Sequence, residues 1–393
     1  MGEPRGSRRC RRGWLPALAA VSLSASLVYP VFATVNPPGS GSLLPEESRA
    51  SLVLAYYYIW YTSGSWTRAK TDLPLLGPYN SSDPRVIAQH IAWAKQAGID
   101  GFIVSWKHEP RLDDPLKTLV QEARRQNFKL VLLYESLDVS RNPIGAQRVA
   151  ADLEWFEATY GKNPVFDVFG VPAVVWSGSQ KYSASDVAAV RSAIKAPDQL
   201  LLLGSERSAA DYLARQHLLD GDAYYWSSAD PMNTPGYQRR LDDLGRAVTS
   251  SHGRWIAPIA PGFDARLVGG TSVVPRRDGD TYRASWAAAE VENPSALGII
   301  SWNEFSENSH IEPSKVIGFD YLNLTAQLSG KPSLGPVIQS LPTAPLDVAT
   351  GGTDSSELPA NISSSQQLLS LLVSLGLLGL LGLHAVRVRR RIA

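Results

Sequence analysis

Between Ser51 and Glu304 the chain is punctuated by short apolar runs in which polar and apolar positions do not alternate cleanly. Eight such runs stand out: Val53–Trp60, Gly101–Trp106, Lys129–Glu135, Ala173–Trp176, Leu200–Ser205, Ala223–Trp226, Trp255–Ala260 and Leu297–Trp302. Continuous apolar strands are what a parallel sheet covered on both faces requires. Between the runs the apolar spacing becomes helical. Asp83-Pro84 is a cap followed by proline at the first helical position, Val86, Ile87, Ile91 and Ala94 recur on one face, and Gly98 marks the stop. A second helix is expected from Asp114-Pro115, carrying Leu116, Leu119, Val120 and Ala123. Others are expected over Ser185–Ile194, Ala209–Gln216, Pro235–Thr249 and Asp280–Glu292. Eight β/α units in roughly 280 residues predict an α/β fold, a single (β/α)8 TIM barrel over residues 48–330. An open doubly wound sheet would place a glycine-rich phosphate turn after the first strand. In its place stands the aromatic loop Trp60-Tyr61-Thr62-Ser63-Gly64-Ser65-Trp66.

The ends have a different pattern. Arg5, Arg8, Arg9, Arg11 and Arg12 precede an apolar stretch from Trp14 to Ala33, which predicts a secretory signal peptide over residues 1–33. An uncleaved anchor is the alternative, because about twenty residues just span a bilayer. Leu368 to Val386 carries no formal charge, and Arg387, Arg389, Arg390 and Arg391 follow at once. This predicts a transmembrane helix over 367–387 and a basic cytoplasmic tail over 388–393, with the body outside. Residues 331–366, rich in Pro, Ser, Thr and Gly, read as a flexible stalk. Asn80, Asn323 and Asn361 stand in glycosylation sequons.

Composition narrows the chemistry. Each terminal segment carries +4 against +1 for the whole chain, so residues 34–366 hold about −7, the wrong sign for gripping nucleic acid. The single cysteine, Cys10, lies in the N-terminal segment, which leaves the body without disulfides or thiol chemistry. The six histidines are scattered and HExxH is absent, so neither a metal site nor any cofactor is expected. There is no GxSxG elbow for a serine hydrolase.

Carboxylates and aromatics remain, and they gather at strand C-terminal ends, where barrels carry their active sites. These ends read Trp60, Ser105-Trp106, Tyr134-Glu135, Trp176, Ser205-Glu206, Tyr225-Trp226, Asp264 and Trp302-Asn303-Glu304. Aromatic faces beside carboxylates suit sugars, whose C–H faces stack on rings while their hydroxyls bond to acids. The densest stretch is Ser301-Trp302-Asn303-Glu304-Phe305-Ser306-Glu307-Asn308-Ser309-His310-Ile311-Glu312-Pro313. A glutamate pair three apart is common on solvated helices. Here it follows the eighth strand, and glycoside hydrolysis needs two carboxyl groups whose environments separate their pKa values.

This stretch resembles the hallmark of glycoside hydrolase family 99, close to WNEWHEGTQIEP, the endo-α-mannosidase and endo-α-mannanase family. The resemblance continues, in order, through Tyr56-Tyr57-Tyr58-Ile59-Trp60-Tyr61, Gly77-Pro78-Tyr79-Asn80-Ser81, Ala97 to Phe102 with Ser105-Trp106, and Tyr134-Glu135. It ends with Asp222 and Tyr224-Tyr225, Pro261 to Asp264, and Arg276 with Gly279 and Tyr282. It implies a retaining, metal-free α-mannan-cleaving enzyme acting on an oligo- or polysaccharide. One glutamate deprotonates the sugar 2-hydroxyl, which attacks C1 to form a 1,2-anhydro sugar. The other protonates the leaving oxygen and then activates water. By motif position, Glu304 takes the first role and Glu307 the second. The expected substrate-binding set is Tyr58, Trp60, Trp106, Glu135, Tyr225, Trp226, Asp264, Arg276, Tyr282, Trp302, Asn303 and Glu312. Phe305, Ser306, Asn308 and His310 depart from the family pattern and are expected to alter the walls beside the pair. Two alternatives stay open, an α-1,3-glucan hydrolase on a related barrel and a non-catalytic, membrane-tethered glycan-binding barrel.

Overall fold

A computed structural model describes residues 51–194 and 199–331. The expected signal peptide, transmembrane helix and basic tail lie outside these residues, as does the stalk beyond residue 331. Among the described residues no helix is long and apolar enough to cross a membrane.

The chain runs β1 (Leu52–Tyr58), α1 (Pro84–Gln96), β2 (Gly101–Trp106), α2 (Pro110–Arg125), β3 (Lys129–Glu135), α3 (Ala146–Tyr160), β4 (Ala173–Ser177) and α4 (Ala184–Ala193). It continues through β5 (Leu201–Gly204), α5 (Ala209–Leu213), β6 (Gly221–Asp222), α6 (Tyr237–Ser250) and β7 (Arg254–Ile259). A two-stranded insertion, β8 (Phe263–Asp264) and β9 (Val273–Val274), precedes α7 (Asp280–Ala289), β10 (Ala296–Ile299) and α8 (Asp320–Leu328). Eight strands close a parallel barrel in the order β1-β10-β7-β6-β5-β4-β3-β2. The expected (β/α)8 barrel is therefore present.

Two layers of side chains account for the lack of alternation. Leu54 and Tyr56 point into the barrel with Ile103, Val131, Leu133, Val175, Leu203 and Ile256. Their neighbours Val53, Ala55 and Tyr57 pack outward against the helices with Phe102, Val104, Leu132 and Val174. Both faces are buried, so both are apolar.

The differences from expectation have local causes. Helix α1 starts as expected, with Asp83 accepting from the Arg85 N–H at 2.8 Å. Helix α2 begins a turn early, at Pro110, which occupies the first helical position and leaves Pro115 inside the helix. The sixth strand is Gly221–Asp222, not Ala223–Trp226. A Cβ at Gly221 would collide with the Arg254 backbone, so glycine permits the close approach to β7. The aromatic run after it leaves the ladder for the barrel rim. Helices α3 and α8 and the β8–β9 hairpin were not anticipated.

Candidate active site

Strand parity decides which side chains reach the mouth. Tyr58 continues the inward series Leu54–Tyr56, and Glu135 continues Val131–Leu133. With Trp60, Arg141, Ser177, Gln180, Lys181, Ser205, Arg207, Tyr224, Tyr225 and Glu307, they line a cavity at the barrel mouth. The Tyr58 and Tyr225 hydroxyls share a 2.7 Å hydrogen bond, and Trp60 lies 4.4 Å from Tyr58, ring to ring. Ser105 and Ser177 donate to the two oxygens of Glu135 at 2.9 and 3.2 Å. Burial raises the pKa of Glu135, while the Arg141 charge and the two serine hydroxyls oppose the rise.

Glu304 and Glu307 leave the end of β10 on a loop that folds back on itself. Ser301 N–H donates to the Ser309 carbonyl at 2.8 Å, and Ile311 N–H returns to the Ser301 carbonyl at 2.9 Å. Both glutamates are buried, and both repel ionisation of the Tyr58 and Tyr225 phenols. Desolvation pushes the Glu304 carboxyl up to about 7. The Ser306 N–H, donating to Oε1 at 2.9 Å, and the nearby Lys70 ammonium moderate the rise. Lys70 also reaches the Ser306 hydroxyl at 3.4 Å.

The residues that depart from the family pattern are accommodated together. Phe305 stacks on His310 with ring centroids 4.0 Å apart, so these two departures form one contact. Asn308 stands where the family motif has glycine and adopts φ 50°, a left-handed conformation that asparagine tolerates. Burial lowers the His310 pKa to about 4. Burial opposes ionisation of Asp72 as well, but hydrogen bonds involving His310, Ser314 and the Val316 N–H outweigh it and hold the carboxyl at about 2. The walls beside the glutamates are thus repacked around a Phe305–His310–Asp72 column.

Several expected substrate contacts serve the scaffold instead. Trp106 has outward parity, is fully buried, donates to Asp113 at 2.9 Å and stacks on Trp155. Trp302 is fully buried against Phe102 and His90. Trp226 stacks between Tyr224 and Tyr237. The Tyr282 hydroxyl meets Thr325 at 3.0 Å behind the barrel wall. Asp264 sits at the mouth, its N–H donating to the Glu307 carbonyl at 2.7 Å, but its carboxylate is held by Arg266 at 2.6 Å. Arg276 donates to the carbonyls of Asn308 at 2.9 Å and His310 at 2.7 Å, which clamps the glutamate loop from behind. Asn303 clips that loop to β1, accepting from the Tyr58 N–H at 2.8 Å and donating to the Tyr58 carbonyl at 2.9 Å. Glu312 is buried between Tyr79 at 2.9 Å and His90 at 3.1 Å. Arg276, Asn303 and the Asp264 backbone hold the glutamate loop in place, and none of the groups in this set lines the cavity.

Sequence reasoning passed over Arg141, Gln180, Lys181 and Arg207. They belong to no motif and meet only because β3, β4 and β5 are neighbours in the barrel. Among the described residues no group of three or more His, Cys, Asp or Glu is placed to hold a metal ion.

The comparisons with known proteins bear on the fold and the family. Two curated relatives are named glycoprotein endo-α-1,2-mannosidase. The mouse protein is 24% identical over 296 residues, covering 66% of this chain and 60% of its own length, so the chain spans less than two thirds of that relative. The rat protein is 23% identical over 370 residues, covering 77% and 76%. Among solved structures, the family-99 endo-α-mannosidase from Bacteroides thetaiotaomicron superposes with a TM-score of 0.62 at 22% identity, over 71% of this chain and 96% of that one. At that identity the likeness establishes the fold. The family model described as glycosyl hydrolase family 71 matches residues 76–321, well over half of the chain, from the loop before α1 to the start of α8. The chain is thus endo-α-mannosidase-like in sequence and fold, and it belongs to glycosyl hydrolase family 71.

Proposed function

We propose that the protein is a retaining glycoside hydrolase that cleaves α-mannan-type glycans, with Glu304 and Glu307 as its reacting pair. The observation that carries this reading is the pair itself. Two buried carboxylates share one loop at the barrel mouth, beside the Tyr58–Tyr225 hydroxyls and an aromatic-edged cavity. The α-mannan assignment rests on the names of the relatives.

In the proposed reaction the Glu304 carboxylate takes the proton of the sugar 2-hydroxyl. That oxygen attacks C1 while the protonated Glu307 gives its proton to the departing glycosidic oxygen. The products are a 1,2-anhydro sugar and the shortened glycan. Glu307, now a carboxylate, takes a proton from water as the water oxygen attacks C1. The C1–O2 bond breaks, and O2 recovers its proton from Glu304. Two inversions at C1 give net retention. The desolvation that raises Glu304 to about 7 makes it a stronger base than an ordinary carboxylate, and Lys70 keeps a share of it ionised. We further propose that the barrel acts outside the cytoplasm, exported by residues 1–33 and anchored through 367–387.

The test is to incubate the full-length protein with a panel of α-mannans and α-1,3-glucans and to analyse the released oligosaccharides. Cleavage of an α-mannan with retained anomeric configuration is expected. Glu304→Gln and Glu307→Gln should each lower kcat by about 10²-fold or more. On a substrate with an activated leaving group, Glu307→Gln should recover its bond-cleavage step and Glu304→Gln should not. A 2-deoxy substrate that turned over at the normal rate would eliminate the anhydro-sugar route.

A further inference from the structure

The cavity holds more positive charge than the proposed reaction uses. Arg141, Lys181 and Arg207 enter it from the loops after β3, β4 and β5, against the carboxylates of Glu135 and Glu307. The charge of Arg141 is answered by those two acids. Lys181 donates to the Arg141 carbonyl, which brings a second cation alongside the first. Burial lowers the Lys181 pKa, and the neighbouring charges of Arg141 and Arg207 lower it further against a weaker pull from Asp138.

Arg207 differs from the arginines that are neutralised by a carboxylate across the fold. Arg148, Arg191, Arg215, Arg266 and Arg277 each pair with a carboxylate at 2.6 to 3.1 Å. Among the described residues Arg207 has no such partner, and its Nε is buried without a hydrogen-bond acceptor. The Arg207 carbonyl accepts from Arg240 at 2.8 and 3.1 Å, so a further guanidinium packs behind it. Like charges held close together cost free energy that a neutral ligand does not return. A neutral sugar hydroxyl calls for amides, carboxylates and rings, which the cavity already supplies. A buried guanidinium N–H without an acceptor, beside an ammonium, fits an oxyanion, which guanidinium binds through two oxygens and ammonium as a point charge.

Position adds to the argument. In the barrel order β4 lies directly across from β10, so the loops carrying Lys181 and Arg207 face the glutamate loop over the mouth. An anion held there lies across the mouth from the loop that carries Glu304 and Glu307.

We infer that the cleft selects glycans bearing an anionic substituent, a phosphate ester or a uronate carboxylate, and that Arg207 and Lys181 receive it. The inference rests on the glycan-binding reading of the cleft and adds its substrate class.

The test uses the full-length Glu304→Gln protein, so that ligand is not consumed, and isothermal titration with three probes. These are a neutral α-mannobioside, its phosphate monoester and a uronate-terminated analogue of the same length. At low salt at least one anionic probe should bind about tenfold or more tightly than the neutral one. The advantage should shrink as ionic strength rises. Adding Arg207→Gln with Lys181→Gln should erase it, so that the charged and neutral probes bind this protein within about twofold of each other. A stronger response to the phosphate ester than to the uronate identifies an ester-bearing glycan, and the reverse identifies an acidic sugar. Equal affinity for neutral and charged probes overturns the inference, as does an advantage that survives the double substitution. The hydrolase reading is judged separately by turnover of the wild-type protein. Cleavage without charge preference sinks only the anion site, and charge-dependent binding without any cleavage sinks only the hydrolase.

Discussion

Glu304 shows how much chemistry one buried carboxyl can hold. Desolvation drives it up to about 7, against the moderating Ser306 N–H and Lys70 ammonium. As the proposed base it must be ionised, and lowering the pH through about 7 protonates it. The expected outcome is a kcat/KM profile that falls about tenfold per pH unit on the acidic side of that value. Lys70 favours the charged form, so Lys70→Met removes an attraction that lowers the Glu304 pKa. The acidic limb should then move to higher pH, with the alkaline limb left in place. A limb that stayed near the ordinary carboxylate range in both proteins would show that Glu304 does not set the profile. The two glutamates were readable in the sequence because they sit three apart at the end of a strand. The cationic wall was not, because Arg141, Lys181 and Arg207 are far apart in the chain, and only barrel closure brings them together.

At the scale of the element, parity separates what was legible from what was not. The sequence presents Ser105-Trp106 and Tyr134-Glu135 as adjacent candidates, yet neighbours on a strand face opposite ways. Ser105 and Glu135 face the cavity side and hydrogen-bond to each other at 2.9 Å, whereas Trp106 and Tyr134 pack outward under the helices. In a strand buried on both faces, composition gives no clue to which member of a pair turns inward. The backbone register supplies it, through pairings such as Tyr58 with Ser105 and Glu135 with Ser177. Two substitutions should separate the classes. Trp106→Ala empties a buried site between β2 and α3 and should cost about 3–5 kcal/mol of stability. Trp106→Phe should keep most of the stability, with KM for the glycan unchanged. Tyr58→Phe loses one hydroxyl at the cavity and should leave the unfolding midpoint nearly unmoved while reducing kcat/KM. Urea unfolding beside steady-state kinetics reads both. A Trp106→Phe protein with normal stability and a raised KM would return Trp106 to the substrate site.

For the whole molecule, the barrel was legible because its evidence is repeated eight times, so one misplaced strand could not hide it. The sixth strand was misplaced because Gly221–Asp222 has no apolar signature, and its place comes from the contact with β7. The charge pattern extends the argument beyond the barrel. The middle of the chain carries about −7 and both ends +4, and the basic cluster Arg387 to Arg391 follows an uncharged apolar run. Basic residues flanking such a run stay on the cytoplasmic side. The proposed topology therefore puts the barrel outside, where long glycans are within reach of an open cleft. Protease added to intact cells should remove the barrel and leave a membrane-bound fragment that contains the C-terminal arginines. Changing those four arginines to glutamine should weaken the orientation and protect a share of the barrel. Complete protection of the unaltered protein in intact cells, with digestion only after lysis, would place the barrel inside and end the case for an extracytoplasmic glycan substrate.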